Sequence, residues 1–142
     1  MPSIRPFEII DHTADIGFRC WGADPAELFA NAARAMFEIA ADLSQAQPKN
    51  ELIFEVSGED YETLLVNWLN QLVYAFDADE FAPVSYEVRT ITPTSIVCLC
   101  QGEKRDPSRH PWKLIIKAVT YHDLEVVQLD DGRWTARVIL DV

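Results

Sequence analysis

Across residues 61–76 apolar side chains recur every three or four positions, and after Pro83 they recur at every second one. This change of period is the strongest constraint on the fold. A 3.6-residue repeat buries a stripe of a helix, whereas a two-residue repeat buries one face of a strand. The stripe Tyr61, Leu64, Leu65, Trp68, Leu69, Leu72 and Phe76 is broad enough for a helix lying on a sheet. Trp68 at its centre reads as core. The later alternation predicts strands over 84–91, 94–101, 113–121, 123–129 and 133–141. Asp131-Gly132 between the last two predicts a hairpin with a type I′ turn. Loop 102–112, GEKRDPSRHPW, reads as solvated, with Arg105, Arg109 and Lys113 available to a phosphate or an acidic partner.

Upstream, residues 7–10 and 15–21 read as strands. In the second of these, Ile16, Phe18 and Cys20 share one face and Asp15, Gly17 and Arg19 the other. Asp24 is placed as an N-cap, with Pro25 at the first helical position and Glu27 closing a capping box. Phe29, Ala33, Met36, Phe37 and Ala40 follow at helical spacing. Residues 51–56 form a further strand, and the second helix starts near 57–60. The order is two strands, helix, strand, helix, five strands. It predicts an α+β fold in which two helices pack on one face of a largely antiparallel sheet. No repeat, low-complexity tract or linker divides residues 1–142, so one domain is expected.

The net charge of −11 is unevenly spread: residues 1–88 carry 16 acids and 4 bases, residues 89–142 carry 7 acids and 8 bases. Five of those eight bases fall between residues 104 and 117. Nucleic-acid affinity comes largely from lysine and arginine displacing counterions, so direct RNA or DNA binding is not expected. An acidic body suits a basic protein partner or a cation, although the acidity could serve solubility alone. No apolar run approaches the ~20 residues of a membrane span, and MPSIRPFEII lacks the apolar centre of a secretory signal. Cys20, Cys98 and Cys100 show no CxxC spacing and read as buried thiols of a reducing, cytoplasmic compartment.

Common enzyme signatures are missing from the sequence: no GxSxG, no phosphate loop, no zinc spacing. Oxygen chemistry remains. The stretch DHTADIGF (11–18) sets Asp11, His12, Thr13 and Asp15 at the entry to a strand, and the sequence ends in ILDV. If the strand opened by Asp15 neighbours the one ending at Asp141, then Asp15, Asp141 and the Val142 carboxylate could meet around a hard divalent cation. Solvated acids at strand ends explain the same residues. His12 could orient Asp11 or Asp15, or bond the backbone of a corner. His122-Asp123 reads as a turn between strands rather than a catalytic pair, and Lys117 as a surface ion-pair partner.

Taken together, DHTADIGF, LLVNWLNQLVYAFDADEF (64–81), HPWKLIIKAVTYHDLEV (110–126) and the terminal ILDV make the chain resemble an archease over essentially its whole length. The resemblance implies an accessory protein of the RtcB-type RNA ligase in tRNA splicing and RNA repair. Such a protein promotes guanylylation and multiple turnover of the ligase and is not itself known as a catalyst. It further implies a divalent cation, assigned as calcium in the family, on the residues matching Asp15, Asp141 and Val142. Lys113 and Gln71 depart from residues frequent in the family, glycine and an acid respectively. Two rival readings stay open: an independent metal-dependent phosphohydrolase with His12 as base, and a general chaperone or modulator of nucleic-acid enzymes.

Overall fold

A computed structural model describes residues 6–11 and 16–142, with only the backbone of Asp11 included. The order is β1 (Phe7–Asp11), β2 (Ile16–Gly22), α1 (Pro25–Ala40), β3 (Asn50–Ser57), α2 (Tyr61–Asp77), β4 (Phe81–Thr92), β5 (Ser95–Lys104), β6 (Ala118–Val119), β7 (Glu125–Gln128) and β8 (Trp134–Asp141). The fold is α+β with antiparallel pairing throughout, as the two periods predict. The strands divide between two sheets. One runs β1-β2-β8-β6 with β7 also on β8, and the other runs β3-β5-β4.

Both helices begin where the capping chemistry places them. The Asp24 carboxylate accepts from Glu27 N–H at 2.9 Å, and Glu27 Oε1 accepts from Ala23 N–H at 3.1 Å. Asp60 and Thr63 form a full capping box at the start of α2. α1 is buried on almost every side, with Glu27, Arg34 and Glu38 its exposed residues. Its alanines allow it to sit against β1, β2 and β8 of one sheet and β4 of the other. α2 likewise touches strands of both sheets, and the Trp68 indole N–H donates to Phe29 O at 3.1 Å. Each helix therefore packs against strands of both sheets.

Two local expectations change. The segment 113–121 is a strand only at Ala118–Val119. Its start is held by the C-terminal end of α1, where Lys113 N–H and Leu114 N–H both donate to Ala40 O at 2.7 and 3.1 Å. Those bonds satisfy amides that a sheet neighbour would otherwise take, so alternation persists without a ladder. The hairpin at Asp131-Gly132 is present but is not type I′. Only Gly132 has a positive φ, +91°, and Gly132 N–H donates to Leu129 O at 2.9 Å while Leu129 N–H donates to Arg133 O at 2.7 Å. This is a three-residue loop closed by a left-handed glycine, the next most common hairpin solution.

Candidate metal-binding edge

The strands that carry the candidate ligands are neighbours. β2 pairs with β8 from Gly22↔Trp134 to Ile16↔Leu140, so the described ladder ends one residue before Asp141 and one residue after Asp15. β1 ends at the same edge, with Asp11 opposite Ile16. On the other side of β8, Ala118 lies opposite Asp141 and Lys117 N–H donates to Asp141 O at 2.8 Å. α2 clamps this last pairing through Asn70, whose Oδ1 accepts from Val119 N–H at 2.9 Å and whose Nδ2 donates to Val119 O at 3.3 Å. Three strand ends and the 117–120 segment thus converge.

Asp141 is exposed, and no described side chain pairs with its carboxylate. Val142 is half-buried and packs against the core, which anchors the main chain beside it. Asp141 thus contributes one hard oxygen donor, of the kind calcium and magnesium take, to the described part of the edge. His12, Thr13 and Asp15 lie outside the described residues. Among the described residues, no three His, Cys, Asp or Glu side chains converge. Lys117 is exposed on the same edge and has no described ion pair.

The other candidates resolve differently. His122 and Asp123 occupy a turn closed by Leu124 N–H to Tyr121 O at 3.3 Å, with Asp123 at φ +49°. The three thiols are buried; burial pushes Cys20 up to about 12, while Cys98 and Cys100 share a hydrogen bond at 3.9 Å that raises Cys100. The same bond lowers Cys98, so Cys20 and Cys100 are poor nucleophiles and Cys98 is kept from reagents by its burial.

The basic loop is largely exposed, as expected, but three of its bases are engaged by the fold. Arg105 lies over Phe76 and Trp112, at 4.4 and 5.5 Å from the ring centroids. Arg109 reaches Glu103 at 3.0 Å and Gln45 O at 2.8 Å, and Lys113 Nζ donates to Glu38 O at 2.6 Å. At its centre are two buried groups that the periodicity had not singled out, Glu103 and His110. Asp106 N–H donates to His110 Nδ1 at 2.9 Å, which places the ring proton on Nε2 to donate to Glu103 Oε1 at 2.9 Å. Burial drives the Glu103 carboxyl upward. The His110 bond and the Arg109 and Lys49 charges outweigh it and hold the group below its usual range. Arg105, Arg109 and Lys113 are thus engaged by the fold, while Lys104 stays exposed. Glu103 sits in an apolar alternation, where a carboxylate needs internal partners, and that was the available signal.

Comparison with known proteins decides the family. The archease protein family (MTH1598/TM1083) matches residues 7–142. The chain belongs to the archease family. It is 36% identical over 140 residues to the protein archease of Methanopyrus kandleri, covering 96% of this chain and 99% of that one. It is 39% identical over 147 residues to the archease of Methanosarcina mazei, covering all of both. The solution structure of Methanobacterium thermoautotrophicum protein 1598 superposes with a TM-score of 0.82 at 35% identity, over 96% of this chain and 99% of that one. The archease fold is thereby shared in sequence and in shape.

Proposed function

We propose that this chain is a non-catalytic activator of an RtcB-type RNA ligase, promoting its guanylylation and multiple turnover in tRNA splicing and RNA repair. Archease membership over residues 7–142 carries this reading. The charge distribution supports it: an acidic helper suits a basic RNA-handling enzyme, and the RNA then belongs to the ligase.

Within that role, Asp15, Asp141 and Val142 hold a divalent cation, calcium by analogy with the family. The Ile16↔Leu140 pair supports the assignment, since Asp15 precedes Ile16 and Asp141 follows Leu140 in the sequence. The ion would supply positive charge that lets several carboxylates stay ionised together. The chain's own residues do the rest. Asn70 and the core contact of Val142 fix the main chain around Asp141, and Lys117 adds an exposed cation at the same edge. Presented to the ligase, such an edge favours the guanylylation-ready state if it binds that state better. A differential affinity of about 3 kcal/mol shifts that population by roughly two orders of magnitude.

Single-turnover guanylylation of the cognate ligase is the test, with wild-type protein, Asp141→Ala, Asp15→Ala and no addition. Wild type should stimulate, and either variant, folded by circular dichroism, should not. Stimulation retained by both variants keeps the partner and discards the metal edge. Absence of stimulation by wild type removes the activator role.

A further inference from the structure

We propose that the free edge of β3, in the sheet that does not carry the metal edge, is a docking site for an extended, lysine- or arginine-bearing segment of a partner protein, which adds to the sheet as a strand. β3 pairs only with β5 among the described residues, so one side of its eight residues is open. The hydrogen-bond phase identifies which groups are open. Gly58 N–H donates to Thr94 O at 3.0 Å, and in an antiparallel pair every second residue turns its backbone to the neighbour. Counting back, Val56, Phe54 and Leu52 face β5, and Ser57, Glu55, Ile53 and Glu51 face away. Ser57 agrees with that phase, because its carbonyl accepts from Asn67 Nδ2 of α2 at 2.9 Å. No described group takes the amides and carbonyls of Glu51, Ile53 and Glu55.

Proteins usually shorten, bulge or cover such an edge, because it templates pairing. This one pairs with β5 without a bulge over eight residues, and Ile53 is 64% exposed between two exposed glutamates. Glu51, Ile53 and Glu55 stand beside Gln101, Leu99 and Val97 on the outer face of the sheet, an apolar centre flanked by acids. The charge selects the occupant. A second copy pairing antiparallel about Ile53 would set Glu51 against Glu55 twice, and like charges directly opposite are destabilising. A segment of the form basic-x-aliphatic-x-basic reverses that sign at both positions and covers Ile53. Its opposite-face side chains would enter a groove of about 380 Å³ between the β3 edge and α2, beside Gln71 and the exposed ring of Tyr74. Backbone pairing would provide affinity and the alternating pattern specificity.

The probe is the blocked heptapeptide Thr-Lys-Thr-Val-Thr-Lys-Thr, titrated into the isotope-labelled full chain with amide exchange followed by NMR. The expected result is shifted resonances and slowed exchange at Glu51, Ile53 and Glu55, with the glutamate-for-lysine peptide at least tenfold weaker. The double variant Glu51→Lys/Glu55→Lys should reverse the preference, taking the acidic peptide and refusing the basic one. Its unchanged spectrum outside β3 would show that the fold is kept. The proposal is overturned if millimolar basic peptide leaves β3 unmoved, if both peptides bind alike, or if the protein dimerises through β3. None of these outcomes bears on ligase activation, because the readout uses neither the ligase nor the metal edge.

Discussion

Single side chains decide how tightly the smaller sheet closes. A Cβ on Gly102 would lie 2.1 Å from Ala82 O and 2.9 Å from Phe81 Cζ, at the irregularity between Pro83 and Ser85. Backbone cannot yield as a flexible side chain does, so Gly102→Ala should destabilise the protein by about 2 kcal/mol in denaturant unfolding. Glu103 carries a pH signature. Its folded pKa lies below the ordinary glutamate value of 4.5, so the unfolded chain binds the proton more readily. Its contribution to stability is complete above that value and is lost as pH falls through the lower folded value. Glu103→Gln should therefore be less stable than wild type at pH 7, and the gap should narrow towards pH 3. A gap that is constant with pH would show that the carboxylate's charge is immaterial. Gly102 was not legible beforehand, and Glu103 showed only as a carboxylate in an apolar alternation, because the role of each depends on atoms supplied by other strands and loops.

At the scale of elements, the helices were readable and the strands only partly so. Asp24, Pro25 and Glu27 are local chemistry, and the structure reproduces it bond for bond apart from the reciprocal acceptor, which bonds Ala23 N–H. Asp24→Ala should cost about 1 kcal/mol of stability, read as a lower thermal midpoint with unchanged far-ultraviolet dichroism below it. A strand needs a neighbour as well as a pattern. Residues 113–116 read as strand yet join no ladder, because the end of α1 takes the amides of Lys113 and Leu114. The hairpin turn shows the same limit. Asp131-Gly132 signals a reversal, but the phase of the flanking strands set the loop at three residues, with Gly132 alone in the left-handed region.

For the whole molecule, the expectation concerns linkage between metal and fold. If Asp15, Asp141 and Val142 hold a cation only in the folded state, calcium should raise the unfolding temperature of wild type. At a concentration one hundred times the dissociation constant the gain is about 2.7 kcal/mol. Asp141→Asn should lose that response while keeping its metal-free stability, since the carboxylate is exposed and without a described partner. An equal calcium shift in the variant would place the ion elsewhere. Charge acts at the same scale. The uneven distribution predicts that association with a basic partner weakens as salt rises, whichever surface makes the contact.

The sequence by itself determined the α+β class, both helix starts, the core face of α2 and the archease resemblance, because each rests on spacing along the chain or on local capping. It also brought Asp15 and Asp141 forward as strand-end acids. Only the tertiary structure decided that β2 and β8 are neighbours, that the strands form two sheets which both helices touch, and that Arg105, Arg109 and Lys113 are engaged by two aromatic rings, Glu103, Gln45 and Glu38. Those outcomes depend on which unsatisfied backbone groups and charges meet across long separations, and pairing between distant residues leaves no period to read.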